Sequence, residues 1–102
     1  MRIKKGASLQ GLDIKMRPVL MAANRIWKKY GKDLVVTSGL DSAHSAGSLH
    51  YYGLAVDLRT RYFSHGKKIQ VFNDLKIKLG NSYDVINEKT HIHVEWNYIS
   101  NS

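Results

Sequence analysis

The stretch Tyr83-Asp84-Val85-Ile86-Asn87-Glu88-Lys89-Thr90-His91-Ile92-His93-Val94-Glu95-Trp96 decides the fold of this 102-residue chain. Its two ends are rich in β-branched and aromatic residues, and only Glu88, Lys89 and Thr90 separate them. The pattern predicts two strands, Tyr83 to Asn87 and His91 to Trp96, joined as a hairpin. So short a link cannot hold the crossover that parallel neighbours need, so the pair is expected to be antiparallel. Side chains alternate across a strand, which puts Ile92, Val94 and Trp96 on one face and His91, His93 and Glu95 on the other. The apolar set belongs to the core, and the two histidines are left together on the exposed face.

Outward from the hairpin, Lys67 to Leu79 carries Val71, Phe72, Leu75 and Leu79 at helical spacing, with Gly80-Asn81 as the stop. Leu54 to Arg59 reads as a strand with Leu54, Val56 and Leu58 on one face and Ala55, Asp57 and Arg59 on the other. Before it, Ser38 to Tyr52 reads as a polar loop, and Leu34 to Thr37 as a first strand. From Asp13 to Tyr30, Met16, Val19, Leu20, Ala23, Ile26, Trp27 and Tyr30 recur on one helical face. Asp13 is the expected N-cap and Gly31 the stop, with Pro18 moving the regular helix toward Arg17. Asn97 to Ser102 reads as a polar tail. The expected architecture is α+β, a single domain over residues 1–102. It has a small, mostly antiparallel sheet, two helices on one face, and the other face free for a site.

The chain has no cysteine, which excludes a disulfide framework and a thiolate zinc site. Any metal would be held by histidine and carboxylate. Sixteen Lys and Arg against eight Asp and Glu give a formal charge of +8, a field that favours polyanions such as nucleic acid, phospholipid surfaces or acidic cell-wall polymers. The basic residues are scattered, no nucleic-acid-binding motif accompanies them, and specific nucleic-acid recognition is not expected. No apolar run is long enough to span a bilayer or to serve as a secretory core, so the expectation is a soluble monomer without a signal peptide.

Strand alternation aligns Asp57 with the face that carries His91 and His93. His50, seven residues before Asp57 and followed by Gly53, can reach back over that strand as a third metal-compatible side chain. Geometry alone permits His91 or His93 in the set.

Ser48-Leu49-His50-Tyr51-Tyr52-Gly53-Leu54-Ala55-Val56-Asp57, followed at a distance by His91-Ile92-His93, resembles the signature of the D-Ala-D-Ala carboxypeptidase and phage endolysin family of zinc peptidases. The same fold includes the hedgehog signalling domain. The similarity runs from about Leu34 to Trp96. It implies one Zn2+ held by His50, Asp57 and His93, with His91 and His44 acting beside the metal on the developing oxyanion. It further implies a peptidoglycan stem-peptide substrate and a cell-wall-degrading enzyme that reaches the wall through a holin, through lysis or in a phage particle. Thr90 stands where many members carry glutamate, and Glu88 resembles the hedgehog-type glutamate. Glu88 is therefore expected as general base ahead of Glu95 and Asp84, with Glu95 holding a ligand imidazole. Ser48 and Arg59 are expected on the substrate side, Arg59 or Arg61 replacing an arginine that carboxypeptidase members carry after the first strand. The bond cut is then the terminal D-Ala-D-Ala bond or an internal one of the L-Ala-D-Glu type. A zinc-binding interaction module without hydrolysis is the alternative.

Overall fold

The computed structural model describes residues 1–7, 9–38 and 53–97. In chain order the regular elements are β1 (Arg2–Ile3), α1 (Arg17–Lys29), β2 (Val35–Ser38), β3 (Ala55–Arg59), α2 (His65–Leu79), β4 (Tyr83–Asn87) and β5 (His91–Trp96). The five strands form one sheet in the order β1-β2-β3-β5-β4. Every neighbouring pair is antiparallel except β1 with β2. The fold is α+β, as the hairpin predicts.

Local chemistry accounts for the helix ends. The Asp13 carboxylate accepts from Lys15 N at 2.9 Å, but it caps a short 3-10 turn, Ile14–Met16, and α1 starts only after it. Pro18 then occupies the first helical turn, where its missing N–H costs nothing. Ser64 caps α2 by accepting from Lys67 N at 3.3 Å, so this helix begins two residues earlier than periodicity indicates.

Val19, Ala23 and Trp27 from α1, Val71 and Leu75 from α2, and Val36, Val56, Leu58, Val85, Ile92 and Val94 from the strands share one buried cluster. Both helices therefore cover the same sheet face. Burying a side chain such as Leu58 or Ile92 contributes roughly 1.5–3 kcal/mol, so this cluster fixes which face of β3 and β5 turns outward. Trp27 is fully buried, and its indole N–H donates to Arg59 O at 2.9 Å, tying α1 to the end of β3.

Two expectations need correction. The stretch before Asp13 supplies a strand: Arg2 and Ile3 pair with Val35 and Val36 at the edge of the sheet. Two residues are too few for periodicity to reveal. The second sheet face is also not open along β2 and β3, because Val35 of β2 and Ala55 of β3 are buried and Asp57 is only 8% exposed.

Gly53 joins the N-terminal loop to β3. Its φ is +72°, and a Cβ there would stand 2.6 Å from Gly11 O and 3.0 Å from Asp13 N. Gly53 O accepts from Asp13 N at 2.9 Å. A side chain is excluded both by conformation and by the backbone packed against it.

Candidate metal-binding site on the β3–β5 ladder

Register builds the site. Because β3 and β5 pair with Asp57 opposite His93 and Arg59 opposite His91, the outward residues of both strands form two adjacent rows. Asp57 Oδ1 lies 2.9 Å from His93 Nδ1 and 3.7 Å from His91 Nε2. Glu95, two residues beyond His93 on the same face, places Oε1 2.7 Å from His93 Nε2. His93 is thus held at both ring nitrogens by carboxylates. On the other side Ser38 of β2 stands opposite Asp57 across a bulge, and the Thr37 hydroxyl donates to Asp57 O at 3.4 Å. The bulge between Val36 and Ser38 breaks the period-two pattern, so alternation along β2 does not predict this contact.

The surroundings of His93 set its charge. Burial by itself pushes an imidazole pKa down. Here the hydrogen bonds to Asp57 and Glu95, reinforced by the two negative charges, outweigh that burial, and the pKa is raised above the ordinary value. In its protonated form the imidazole donates from both nitrogens, Nδ1–H to Asp57 and Nε2–H to Glu95. A cation bound at Nδ1 would replace one proton and leave the Nε2–H bond to Glu95 intact.

Asp57 and His93 supply one carboxylate and one imidazole, donors of the kinds zinc takes. Ligand atoms around a tetrahedral zinc stand about 3.3 Å apart, given bonds near 2.0–2.1 Å. Asp57 Oδ1 and His93 Nδ1, the two expected ligand atoms on the ladder, stand 2.9 Å apart in a direct hydrogen bond, a little closer than that value. A carboxylate behind a ligating imidazole, the position of Glu95, fixes the ring's tautomer and orientation. Among the described residues no three side chains form a metal-holding group on their own. His50, the remaining expected ligand, lies outside the described residues, as do His44 and Ser48.

The other expected residues are placed as follows. His91 is half-buried, with Thr90 Oγ1 3.3 Å from its Nδ1. Glu88 follows β4, and its N–H donates to His91 O at 2.9 Å, which sets it opposite His91 across the hairpin. Its side chain is exposed. Among the described residues, no hydrogen bond or ion pair joins its carboxylate to Asp57, His91 or His93. Lys68 Nζ donates to the backbone carbonyls of Glu88 and Lys89 and so pins the turn. Asp84 lies opposite Glu95 and accepts from Asn97 Nδ2 at 2.9 Å. Arg59 is partly buried on the site face, whereas Arg61 is exposed beyond the strand.

No protein-family model matches the sequence, and no curated protein matches it. Among the described residues, no helix is long and apolar enough to cross a membrane.

Proposed function

We propose that this protein is a zinc-dependent peptidase acting on bacterial peptidoglycan stem peptides, with the hedgehog and D-Ala-D-Ala carboxypeptidase fold. The observation that carries the reading is the His93 imidazole, held between Asp57 at 2.9 Å and Glu95 at 2.7 Å on a fixed strand ladder.

His50, Asp57 and His93 would hold the ion. When bound, zinc polarises the scissile carbonyl and makes water more acidic. The chain's own residues do the rest. Glu95 accepts from His93 Nε2–H and keeps Nδ1 directed at Asp57. His91, beside Asp57, donates a hydrogen bond to the oxyanion that develops as the carbonyl is attacked, with His44 as a second donor. Glu88 takes the proton from the attacking water and returns it to the leaving amine. Ser48 and Arg59 bind the substrate chain, and the +8 charge draws the protein toward an anionic wall.

The purified protein is expected to bind one zinc by elemental analysis and to release stem-peptide fragments identifiable by mass spectrometry. His93→Ala and Asp57→Ala should lose both properties. Unchanged turnover in both variants sinks the reading.

The exposure of Glu88, unlinked to the ligand row, favours a second reading: a zinc-binding interaction module without hydrolysis. Glu88→Gln decides between them. Zinc retained with hydrolysis abolished supports the peptidase, whereas a parent protein that binds zinc but cuts no muropeptide supports the module.

A further inference from the structure

Beside the ligand row the sheet carries a second, differently charged feature. Arg2 pairs with Val35, and Val36 pairs with Leu58, which sets Val35 across from Arg59. Arg59 in turn faces His91. Arg2, Val35, Arg59 and His91 therefore form one row across the outward face. At its β1 end a groove of about 230 Å³ is lined by Arg2, Ile3, Lys4, Lys5, Val35 and Arg59. It is walled by four cations and no carboxylate.

No described carboxylate neutralises these cations. None of the four has an ion-pair partner among the described residues. Arg59 is partly buried, so its field is screened less than that of a free surface arginine. The backbone underneath is fixed: Arg2 N donates to Leu34 O at 2.7 Å and Lys4 N to Val36 O at 2.9 Å. Four like charges converging on one small apolar-floored groove repel one another, and a bound anion relieves that repulsion.

We propose that this groove is a substrate subsite for a carboxylate on the peptide being cut. The proposal rests on the peptidase reading and names the substrate class that reading leaves open: stem peptides whose D-glutamyl α-carboxyl group is free, not amidated. Arg59 lies two residues along β3 from Asp57, about 7 Å, and the groove begins one to two strand spacings of about 4.8 Å to the side. The anionic group therefore sits on the order of 10 Å from the cut carbonyl, within two or three residues of an extended peptide. The guanidinium groups of Arg2 and Arg59 can bind a carboxylate bidentately, while Lys4 and Lys5 add point charges.

The test uses the zinc-loaded full chain and two probes: a stem pentapeptide, L-Ala-γ-D-Glu-L-Lys-D-Ala-D-Ala, and the same peptide with its glutamyl α-carboxyl amidated. The acid form is expected to have kcat/KM at least about tenfold higher, with the difference mainly in KM. In R2Q/K4Q that ratio should fall below about threefold, with zinc stoichiometry unchanged as the check on folding. K4Q alone serves if the double variant does not fold, with a partial fall expected. Equal kcat/KM for the two peptides in the parent overturns the subsite. A preference that survives in R2Q/K4Q also overturns it, since the general +8 field would then be its source. If neither peptide is cut, the peptidase reading fails, and the groove is judged by NMR titration with the same two peptides. Amide shifts at Ile3, Val35 and Arg59 with the acid peptide only, lost in R2Q/K4Q, retain the anion site; no such shifts remove it.

Discussion

The ladder between β3 and β5 and the turn between β4 and β5 share a strand but follow different physical rules. On the ladder, the Asp57 and His93 side chains are only 12% and 17% exposed and are locked by paired hydrogen bonds. At the turn, Glu88 is exposed, and only its backbone is held. Groups that must present fixed donor atoms to an ion gain from burial and from a partner behind them, because such support removes rotamer freedom before binding. A group that must carry a proton between water and a leaving amine needs reach instead.

The largest expected effect tests whether the ladder depends on its anchor. Gly53→Ala is expected to destabilise the fold by on the order of 3 kcal/mol, since the new Cβ meets backbone at a positive φ. Gly31→Ala, also at positive φ but facing open space, should cost less, about 1–2 kcal/mol. Denaturant midpoints of the two variants measure the difference. Equal losses would mean that the contact with Gly11 and Asp13 does not hold β3 in place.

A smaller effect separates support from ligation. Glu95→Gln keeps the shape but removes the charge behind His93, and it should weaken zinc affinity by about 10–100-fold without abolishing binding. Competition with a chromogenic chelator reads this directly. Loss of all binding would make Glu95 itself a ligand, and no change would leave His93 oriented by Asp57 alone.

The smallest effect is a pH dependence. His93 has a pKa raised in the folded protein, so its contribution to metal-free stability is complete below the unfolded value of about 6.5 and is lost as pH rises through the higher folded value. Thermal midpoints of the metal-free protein should fall across that window, and His93→Gln should flatten this component. Zinc competes with the same proton, so its affinity should rise as pH increases over the same range, with proton release visible by calorimetry in two buffers.

Much of the fold was legible because its signals are local. The period-two pattern of His91 to Trp96 sorted Ile92 and Val94 from His91 and His93, and the core bears out that sorting. Helical spacing located both helices and Pro18 set the start of α1 at Arg17, while the start of α2 moved two residues earlier because Ser64 acts through a single hydrogen bond that periodicity does not register. The expectation of an open second face failed at Asp57, since burial depends on what lies across the sheet and not on the strand's own pattern. The strand Arg2–Ile3 escaped notice because its stability comes from the edge it joins.

The sequence by itself determined both helices and the strands other than β1, the inward face of β3 and β5, and the absence of any thiol from the site, because these follow from neighbouring residues and from composition. Only the tertiary structure decided that Asp57 stands opposite His93 rather than His91, that Glu95 holds the second nitrogen of that imidazole, and that Arg2 joins Arg59 in one groove. Register between strands far apart in the chain is selected by the packing of the shared core, and a slip of one residue would turn every one of these side chains to the other face.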